Sequence, residues 1–477
     1  MTKKIILCLL IILLVFCCCT CSMLVPGIWF GKDLFNKTPT PTPLAVYRTK
    51  TVKNTPTPES MMEETKTPAG EPTEEQASKI PVDMAETMDT VEGQVTDLRG
   101  LKLKSPVNRG VLTYSELRKK VTDDLFADYT EEDAANDVLF YSTLGLIDPD
   151  TDLLTLYQDL YSEQIAGYYD QETKEMYVVQ DDAFDGMEKM NYAHEFTHVL
   201  QDQNYDIENG LKITDEYCQD HSEYCAAVTA LMEGDAFASE TDWLYTYGTK
   251  EDRLQIQQFY QDLTTPIYDS SPDFIKEDLL FPYQKGYEFV ETLYDKGGWA
   301  AIDDAYHHLP QSTEQILHPE LYPDEKPLDV QLPDLENALS HDWELIYEGV
   351  LGEWYTQLLL TQGWQTDTRV NESDAREAAA GWGGDHYVLY SNTDDPDQYF
   401  MAVEWKWDTH QDAEQFWKTF LKYNKTRWGK TAQESGLEVK WTAKSGEVIS
   451  IQYTDQGTRW LVASDQETFD MVRPELD

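Results

Sequence analysis

Apolar residues recur every three or four positions through much of the chain after residue 80, a period typical of amphipathic α-helices. The first such run covers residues 84–98. Two capping-box patterns, Thr113 with Glu116 and Asp220 with Glu223, predict helix starts, and the second helix should run to about residue 245. Periodicity and turn signals predict further helices at 131–145, 151–166, 251–264, 281–296 and 298–308. This part of the chain is therefore predicted to be mainly helical.

Strand-like alternation occurs in two places. Gly167–Asp170 and Met176–Val179 predict a small hairpin directly before a helix that starts near Gly186. Near the C-terminus, strands are predicted at 387–391, 400–406, 437–443 and 448–453, with a helix at 413–423. We therefore expect an α+β protein, with a mainly helical domain at 81–385 that includes the hairpin and a small α+β domain at 386–477.

The N-terminal region differs from the rest of the chain. Residues 1–30 begin with two lysines that follow Met-Thr and continue as an apolar run long enough to span a bilayer. We expect a membrane anchor; a cleaved signal peptide and a lipoprotein signal built on one of Cys17–Cys21 are the alternatives. All three place the remainder outside the cytoplasm. Residues 31–80, with Thr-Pro repeats at 38–43 and 55–58, predict an extended, disordered stalk.

The chain is strongly acidic, with 88 Asp and Glu against 37 Lys and Arg and a formal net charge of −51. Such a charge repels nucleic acid and anionic lipid headgroups, so neither is an expected partner of the folded part. The charge fits a protein that must stay soluble outside a cell. It says little about a substrate.

Five of the seven cysteines lie in the N-terminal apolar segment, which leaves Cys218 and Cys225 for the folded part. Two cysteines close together fit one local disulfide in an oxidising compartment. In a continuous helix they would lie roughly 10 Å apart, beyond disulfide reach, so a helix must begin between them. The alternative is a metal site of Cys218, His221 and Cys225, which lacks a fourth ligand.

The strongest chemical signal is the stretch His194-Glu195-Phe196-Thr197-His198. Residues four apart on a helix lie on one face and one turn apart, so the two imidazoles can bind one metal ion. A carboxylate at Glu195 would lie beside that ion, where it can take a proton from metal-bound water. The alternative is a solvated amphipathic helix that carries two surface histidines.

A catalytic zinc usually has three protein ligands and one open position, so a third ligand must come from elsewhere. The best candidate is Glu233, 35 residues after His198 on a predicted helix otherwise lined with small residues. Small neighbours let two helices approach closely enough to share an ion. The alternative is an exposed helical glutamate, which is common in an acidic chain.

The pattern of His194, Glu195 and His198 followed by Glu233-Gly-Asp-Ala resembles the glutamate-zincin metallopeptidases, the thermolysin-like clan. The segment Phe281–Gly286 is similar to the Tyr-x-Lys-Gly segment of the membrane-alanyl type of zinc aminopeptidases in that clan. The resemblance covers roughly residues 160–310. It implies a zincin-like catalytic domain, Zn²⁺ bound by the two His and the downstream Glu, and a Glu195 base.

By the same resemblance, Tyr283 would donate a hydrogen bond to the oxyanion of the tetrahedral intermediate; a packing tyrosine at a helix start is the alternative. The sequence departs from the clan where Phe237 replaces the Asp four residues after the ligand Glu. Asp202 and Asp235 are the alternatives for orienting a ligand histidine. The Gly-x-Met-Glu-Asn segment of those aminopeptidases is absent, so an exopeptidase assignment does not carry over.

Two polar and aromatic clusters lie further along. His318 is a candidate electrophilic donor opposite Glu195, with a hydrogen-bonded structural histidine as the alternative. His386 beside Asp385 is a weaker candidate. The Trp-Gly-Gly-Asp run at 382–385 predicts a tight turn at which backbone segments pack closely.

These signals together predict an extracellular, membrane-tethered zinc metallopeptidase that acts on peptides or proteins. Two alternatives stay open. One is a cell-surface binding module that keeps the scaffold without turnover, and the other is a zinc amidase that acts on cell-wall crosslinks.

Overall fold

The computed structural model describes residues 80–476, apart from 127–128, 165–166, 172, 180–183, 334, 336–338, 340 and 430–432. The predicted anchor at 1–30 and all but the last residue of the predicted stalk at 31–80 lie outside the described residues. Within the described part of the chain, no helix is both long enough and apolar enough to cross a bilayer.

The described residues form a mixed α+β structure, as predicted. The α-helices are α1 (Val82–Arg99), α2 (Tyr114–Leu125), α3 (Glu131–Leu144), α4 (Leu153–Gln164), α5 (Gly186–Tyr205), α6 (Asp215–Asp220), α7 (Ser222–Thr246), α8 (Lys250–Asp262), α9 (Pro266–Ser270), α10 (Asp273–Gly297), α11 (Trp299–Ala305), α12 (Thr313–Leu317), α13 (Gly352–Thr361), α14 (Glu372–Ala379), α15 (His410–Arg427) and α16 (Gln466–Val472). Short 3-10 helices cover Thr366–Thr368 and Arg473–Leu476.

The strands form two sheets. They are β1 (Asn108–Leu112), β2 (Gly167–Asp170), β3 (Glu175–Val179), β4 (Trp343–Gly349), β5 (Trp382–Asn392), β6 (Tyr399–Trp407), β7 (Gln433–Ser435), β8 (Glu438–Thr442), β9 (Val448–Thr454) and β10 (Gly457–Ala463). In the smaller sheet, of order β1-β3-β2, the predicted hairpin of β2 and β3 is antiparallel, and β1, which was not predicted, runs parallel to β3. Strand β2 therefore lies at an edge of this sheet.

The larger sheet has seven strands in the order β4-β5-β6-β10-β9-β8-β7, and every neighbouring pair is antiparallel. Helix α15 packs on one face through Phe416 and Phe420, whose rings contact Trp405. The opposite face is buried by α16, through Phe469 and Val472. The sheet begins at Trp343, within the range 81–385, and the domain division at 385/386 itself stays a prediction.

The predicted tight turn at the Trp-Gly-Gly-Asp run is wrong, because the run forms the start of β5. A β-bulge between Trp382 and Gly384 shifts the register against β6. The close backbone approach is confirmed: a Cβ at Gly384 would lie 2.6 Å from the carbonyl oxygen of Leu328. Asp385 then accepts hydrogen bonds from the backbone N–H groups of Leu351 and Gly352. These hydrogen bonds therefore hold the start of β5 next to the start of α13.

Helices α5 and α7 cross at the centre of the helical part, and α10 packs along α7. A Cβ at Gly286 of α10 would lie 2.0 Å from the carbonyl oxygen of Ala230, and one at Gly234 would lie 2.2 Å from the carbonyl oxygen of Gly286. Glycine at both positions lets the two backbones touch. Helix α10 starts earlier than predicted, at Asp273 after Pro272, and holds Pro282 in its interior.

The predicted disulfide is confirmed. Cys218 lies in α6 and Cys225 in α7, with their Cα atoms 5.6 Å apart, and the helix is interrupted at His221 between them. This break is what the spacing required. Because both sulfur atoms are bonded to each other, they are not free to bind a metal with His221.

Candidate metal centre

The two motif histidines meet Glu233 where α5 and α7 cross. None of the three side chains is exposed to solvent. His194 Nε2 lies 3.2 Å and His198 Nε2 lies 3.5 Å from Glu233 Oε2. Donor atoms at the corners of a tetrahedron around zinc, with bonds of roughly 2.0–2.1 Å, lie about 3.3–3.4 Å apart. The two distances to Glu233 are therefore close to those of a tetrahedral zinc site.

Among the described residues, these three side chains form the one cluster of His, Cys, Asp or Glu that is placed to hold a metal ion. One donor atom from each lies within 4.8 Å of the other two. The second oxygen of Glu233, Oε1, is buried without a hydrogen-bond partner in the described part of the protein. A buried acceptor of this kind is costly unless a proton or cation satisfies it. Two imidazole nitrogens and a carboxylate form a common zinc donor set.

Each histidine is oriented through its other ring nitrogen. His194 Nδ1 lies 3.1 Å from Glu240 Oε2, and His198 Nδ1 lies 2.8 Å from Gln201 Oε1. Carboxylate and amide oxygens accept hydrogen bonds, so Nδ1 is the donor in both pairs. The two Nε2 atoms both face Glu233, and His194 Nε2 lies within hydrogen-bond distance of its Oε2, so a metal ion bound here would replace the hydrogen on that nitrogen.

Neither Glu240 nor Gln201 was predicted, although spacing could have found both. Glu240 follows Glu233 by seven residues, or two turns of α7, and so lies on the same helix face. Gln201 follows His198 by three residues, one turn along α5. Helical spacing therefore points to the residues that orient the ligands as well as to the ligands themselves.

Glu195 lies on the same turn as the two histidines, fully buried beside strand β2. A Cβ at Gly167, the first residue of β2, would lie 3.6 Å from its Cγ atom. Neither carboxylate oxygen of Glu195 makes a hydrogen bond of ordinary geometry among the described residues, and the backbone N–H of Tyr169 in β2 is the donor that approaches it. Burial raises the pKa of this carboxyl well above its ordinary value; His194 opposes the shift, and Glu233 and Glu240 add to it.

The pKa shifts of His194, Glu233 and Glu240 indicate that this site favours positive charge. Burial lowers the pKa of His194, but its hydrogen bonds to Glu233 and Glu240 outweigh burial and raise the pKa to about 10. Burial raises the pKa of Glu233, but His198 and His194 outweigh burial, so the pKa is lowered. Burial raises the pKa of Glu240 to about 7, although His194 opposes the rise. A proton or a metal cation can supply the positive charge that these carboxylates require.

Tyr283 approaches the same site from α10. Its ring centroid lies 6.3 Å from that of His194, and its side chain is buried. Tyr283 lies in the interior of α10. The alternative had placed it at the start of a helix, which the structure does not show. The glycine contact between α7 and α10 holds it there. Its role as a hydrogen-bond donor to an oxyanion stays a prediction.

The two aspartates considered for orienting a ligand behave differently. Asp202 accepts a hydrogen bond from the Tyr169 hydroxyl at 2.7 Å, which ties α5 to the hairpin. Asp235 accepts one from Gln201 Nε2 at 3.0 Å, and Gln201 in turn holds His198. Asp235 therefore reaches a ligand histidine, but through one intermediate residue.

His318 lies in a second buried polar cluster, which we call the junction cluster: Glu223, Glu314, His318, Glu353 and Asp385. His318 Nε2 lies 3.0 Å from Glu353 Oε1. This ion pair accounts for His318, which is only partly buried, and favours the structural histidine over the catalytic donor. His386 Nδ1 accepts a weak hydrogen bond from the backbone N–H of Leu332, at 3.4 Å, which is also a structural contact.

Comparison with known proteins adds little about the metal centre. Residues 344–473 match a sequence family described as a domain of unknown function, DUF8575. This range coincides with the seven-stranded sheet and its helices, and it includes none of the candidate metal ligands. No curated protein and no solved structure matches the chain.

Proposed function

We propose that the protein is a zinc-dependent metallopeptidase of the glutamate-zincin type, with a zincin-like catalytic domain. One observation carries the proposal: the donor atoms of His194, His198 and Glu233 converge beside the fully buried carboxylate of Glu195. Structural zinc sites usually have four protein ligands, whereas three ligands leave a position open for chemistry. The ligand count therefore favours an enzyme over a silent binding module.

Zinc held by these three side chains would supply a Lewis acid that lowers the pKa of a water molecule and polarises the carbonyl group to be attacked. Glu195 accepts a proton from the attacking water on a carboxylate oxygen and delivers it to the nitrogen of the leaving amine. A C–O bond forms, the C–N bond breaks, and Glu195 is again ionised. The Tyr283 hydroxyl donates a hydrogen bond to the oxyanion that forms in between.

A peptide is the substrate class that the neighbouring sheet supports best. Strand β2 lies at the edge of its sheet, and its first residue, Gly167, lies beside Glu195. An extended peptide can pair with such an edge through backbone hydrogen bonds, which would bring a scissile bond to the catalytic carboxylate. A cell-wall amide has no such reason to prefer this position, and it remains the alternative substrate.

The proposed location is outside the cytoplasm, tethered to the cell membrane by residues 1–30. The disulfide between Cys218 and Cys225 supports an oxidising compartment. The net charge of −51 suits a soluble extracellular domain.

The proposal is tested by peptide hydrolysis with the full chain purified in detergent. We expect the wild type to cleave a peptide library and Glu195→Gln to retain zinc but lose roughly 10²–10⁴-fold in turnover. Glu353→Gln is the matched control, because Glu353 is also buried and paired with a histidine, but in the junction cluster; it should keep its activity. Equal turnover by wild type and Glu195→Gln would overturn the proposal. Cleavage of cell-wall amide fragments, with none of peptides, would select the amidase alternative.

A further inference from the structure

A fully buried arginine from the first helix reaches towards the metal centre from far away in sequence. Arg99, the last residue of α1, has no solvent exposure. Its Nε lies 2.6 Å from Asp235 Oδ1, and its Nη2 lies 3.2 Å from Asp235 Oδ2. Its Nη1 lies 2.7 Å from Asp303 Oδ1. An arginine donates hydrogen bonds and never accepts them, so both oxygens of Asp235 are acceptors in these contacts.

Asp235 fixes the orientation of the Gln201 amide. Gln201 Nε2 lies 3.0 Å from Asp235 Oδ2 and 2.9 Å from the carbonyl oxygen of Met232. Both of these atoms are acceptors, so the NH₂ group of Gln201 must face them. Turning the amide over would place its oxygen against two other oxygens with no hydrogen atom between them.

With the amide fixed, Gln201 presents its oxygen to His198 Nδ1 at 2.8 Å. An amide oxygen can only accept, so the histidine must carry its hydrogen on Nδ1. In the neutral imidazole, a hydrogen on Nδ1 leaves the lone pair on Nε2, the atom on the Glu233 side. A turned amide would instead offer an N–H group to Nδ1 and favour the hydrogen on Nε2, which blocks metal binding.

We infer that Arg99 is a positioning residue of the metal centre, acting through Asp235 and Gln201 to hold His198 in its metal-binding tautomer. We call these four residues the relay. The inference rests on the proposed metal centre and adds a requirement for α1, which contains none of the ligands. Without Arg99, the Asp235 carboxylate loses the two hydrogen bonds that fix its orientation and turns away from Gln201, whose amide is then held by the Met232 carbonyl alone.

A purely structural arginine would also be destabilising to remove, so stability alone does not test the relay. The readout is zinc affinity of the full chain, measured by competition with a chelating dye, alongside thermal unfolding. We expect Arg99→Met and Gln201→Ala each to weaken zinc binding by roughly 10–100-fold. Arg109→Met is the matched control. Arg109 pairs with Asp89 and Glu92 of the same helix α1 but not with the relay, and this variant should keep its zinc affinity.

The decisive comparison combines the two changes. If Arg99 acts through Gln201, adding Arg99→Met to Gln201→Ala should weaken zinc binding by less than about 3-fold more, because the intermediate residue is already gone. An equal loss in both backgrounds would overturn the relay, and so would unchanged zinc affinity in Arg99→Met. Neither result would disturb the proposed enzyme. A wild-type chain that binds no zinc would remove the proposed function and the relay together.

If Arg99→Met does not fold, Arg99→Lys provides the same test. Lysine keeps the buried charge but cannot donate to both oxygens of Asp235 and to Asp303 at once. We expect Arg99→Lys to fold and to bind zinc several-fold more weakly than the wild type. Wild-type affinity in this variant would also contradict the relay.

Discussion

The protein buries two clusters of carboxylates, and only one of them has the geometry of a metal centre. In the junction cluster, Glu223 accepts hydrogen bonds from the backbone N–H and the hydroxyl of Thr313, and Asp385 accepts from two backbone N–H groups and the Trp382 indole. Glu353 pairs with His318. In the metal cluster, by contrast, donor atoms of Glu233 and two histidines converge on one point.

Burial of acid groups therefore does not by itself identify a metal site. Most acids of the junction cluster have donors within the fold, and Glu314 shares a hydrogen bond with Glu325. Burial and the neighbouring Glu353 raise its pKa. In the metal cluster, by contrast, Glu233 Oε1 has no donor among the described residues, while acceptors orient both histidines. Convergence of lone pairs is the distinguishing feature.

We expect the largest effect when one histidine is removed from each cluster, His198 beside Glu233 or His318 beside Glu353. His198→Ala removes a ligand, so zinc should be lost and kcat/KM should fall by roughly 10³-fold or more. His318→Ala removes the partner of Glu353 and should lower stability while zinc content is unchanged. Metal analysis and peptide kinetics on both variants check this. A drop in activity of similar size in His318→Ala, with zinc still bound, would return His318 to the catalytic site.

The next effect concerns the packing that brings Tyr283 to the metal cluster. Gly286→Ala places a methyl group 2.0 Å from the carbonyl oxygen of Ala230, so α7 and α10 must separate. We expect a loss of about 3 kcal/mol in the free energy of unfolding. Gly93→Ala is the control, because no atom of a neighbouring residue lies within 4 Å of where its methyl group would sit on α1; it should be neutral or stabilising by up to about 1 kcal/mol. Urea unfolding of both variants measures the difference, and equal stability would contradict the backbone contact.

A smaller effect is expected from the disulfide, which fixes the start of α7 beside the junction cluster. Replacing both Cys218 and Cys225 by serine should cost about 2 kcal/mol of stability, because the closed loop is short. Zinc affinity should stay the same, since Glu233 lies more than two turns further along α7. Thermal unfolding measures the loss of stability, and zinc titration measures the affinity. A loss of zinc binding would show that the two clusters are coupled through α7.

The smallest expected effect is the pH dependence of the junction cluster. Burial raises the pKa of Glu223 to about 8, although hydrogen bonds from Thr313 oppose the rise, and the pKa of Glu314 is raised as well. The folded chain then binds protons more tightly than the unfolded chain, so stability falls as pH rises from about 5 through about 8. Melting temperatures across that range should decline by about 2 °C or more. Glu314→Gln, which cannot ionise, should decline less; an identical decline would exclude Glu314 as a cause.

Local sequence was sufficient for much of the fold and for the histidine pair of the candidate metal centre. The helical face that carries His194 and His198, the hairpin before it, and the break between Cys218 and Cys225 all follow from short-range spacing. Strand β1 does not, because its pairing with β3 joins segments more than sixty residues apart. The same holds for Arg99, whose pairing with Asp235 spans 136 residues. Such contacts depend on how the helices pack, and no periodicity within one segment records them.

A count of bound metal ions decides whether the α5–α7 crossing is a metal centre. Mass spectrometry of the full wild-type chain, after incubation with zinc and removal of the excess, should find one zinc ion per molecule. The double variant His194→Ala with Glu233→Ala should hold none, while the Glu353→Gln control should hold one. Zinc absent from the wild type, or retained at one ion per molecule by the double variant, would contradict a metal centre at the crossing of α5 and α7.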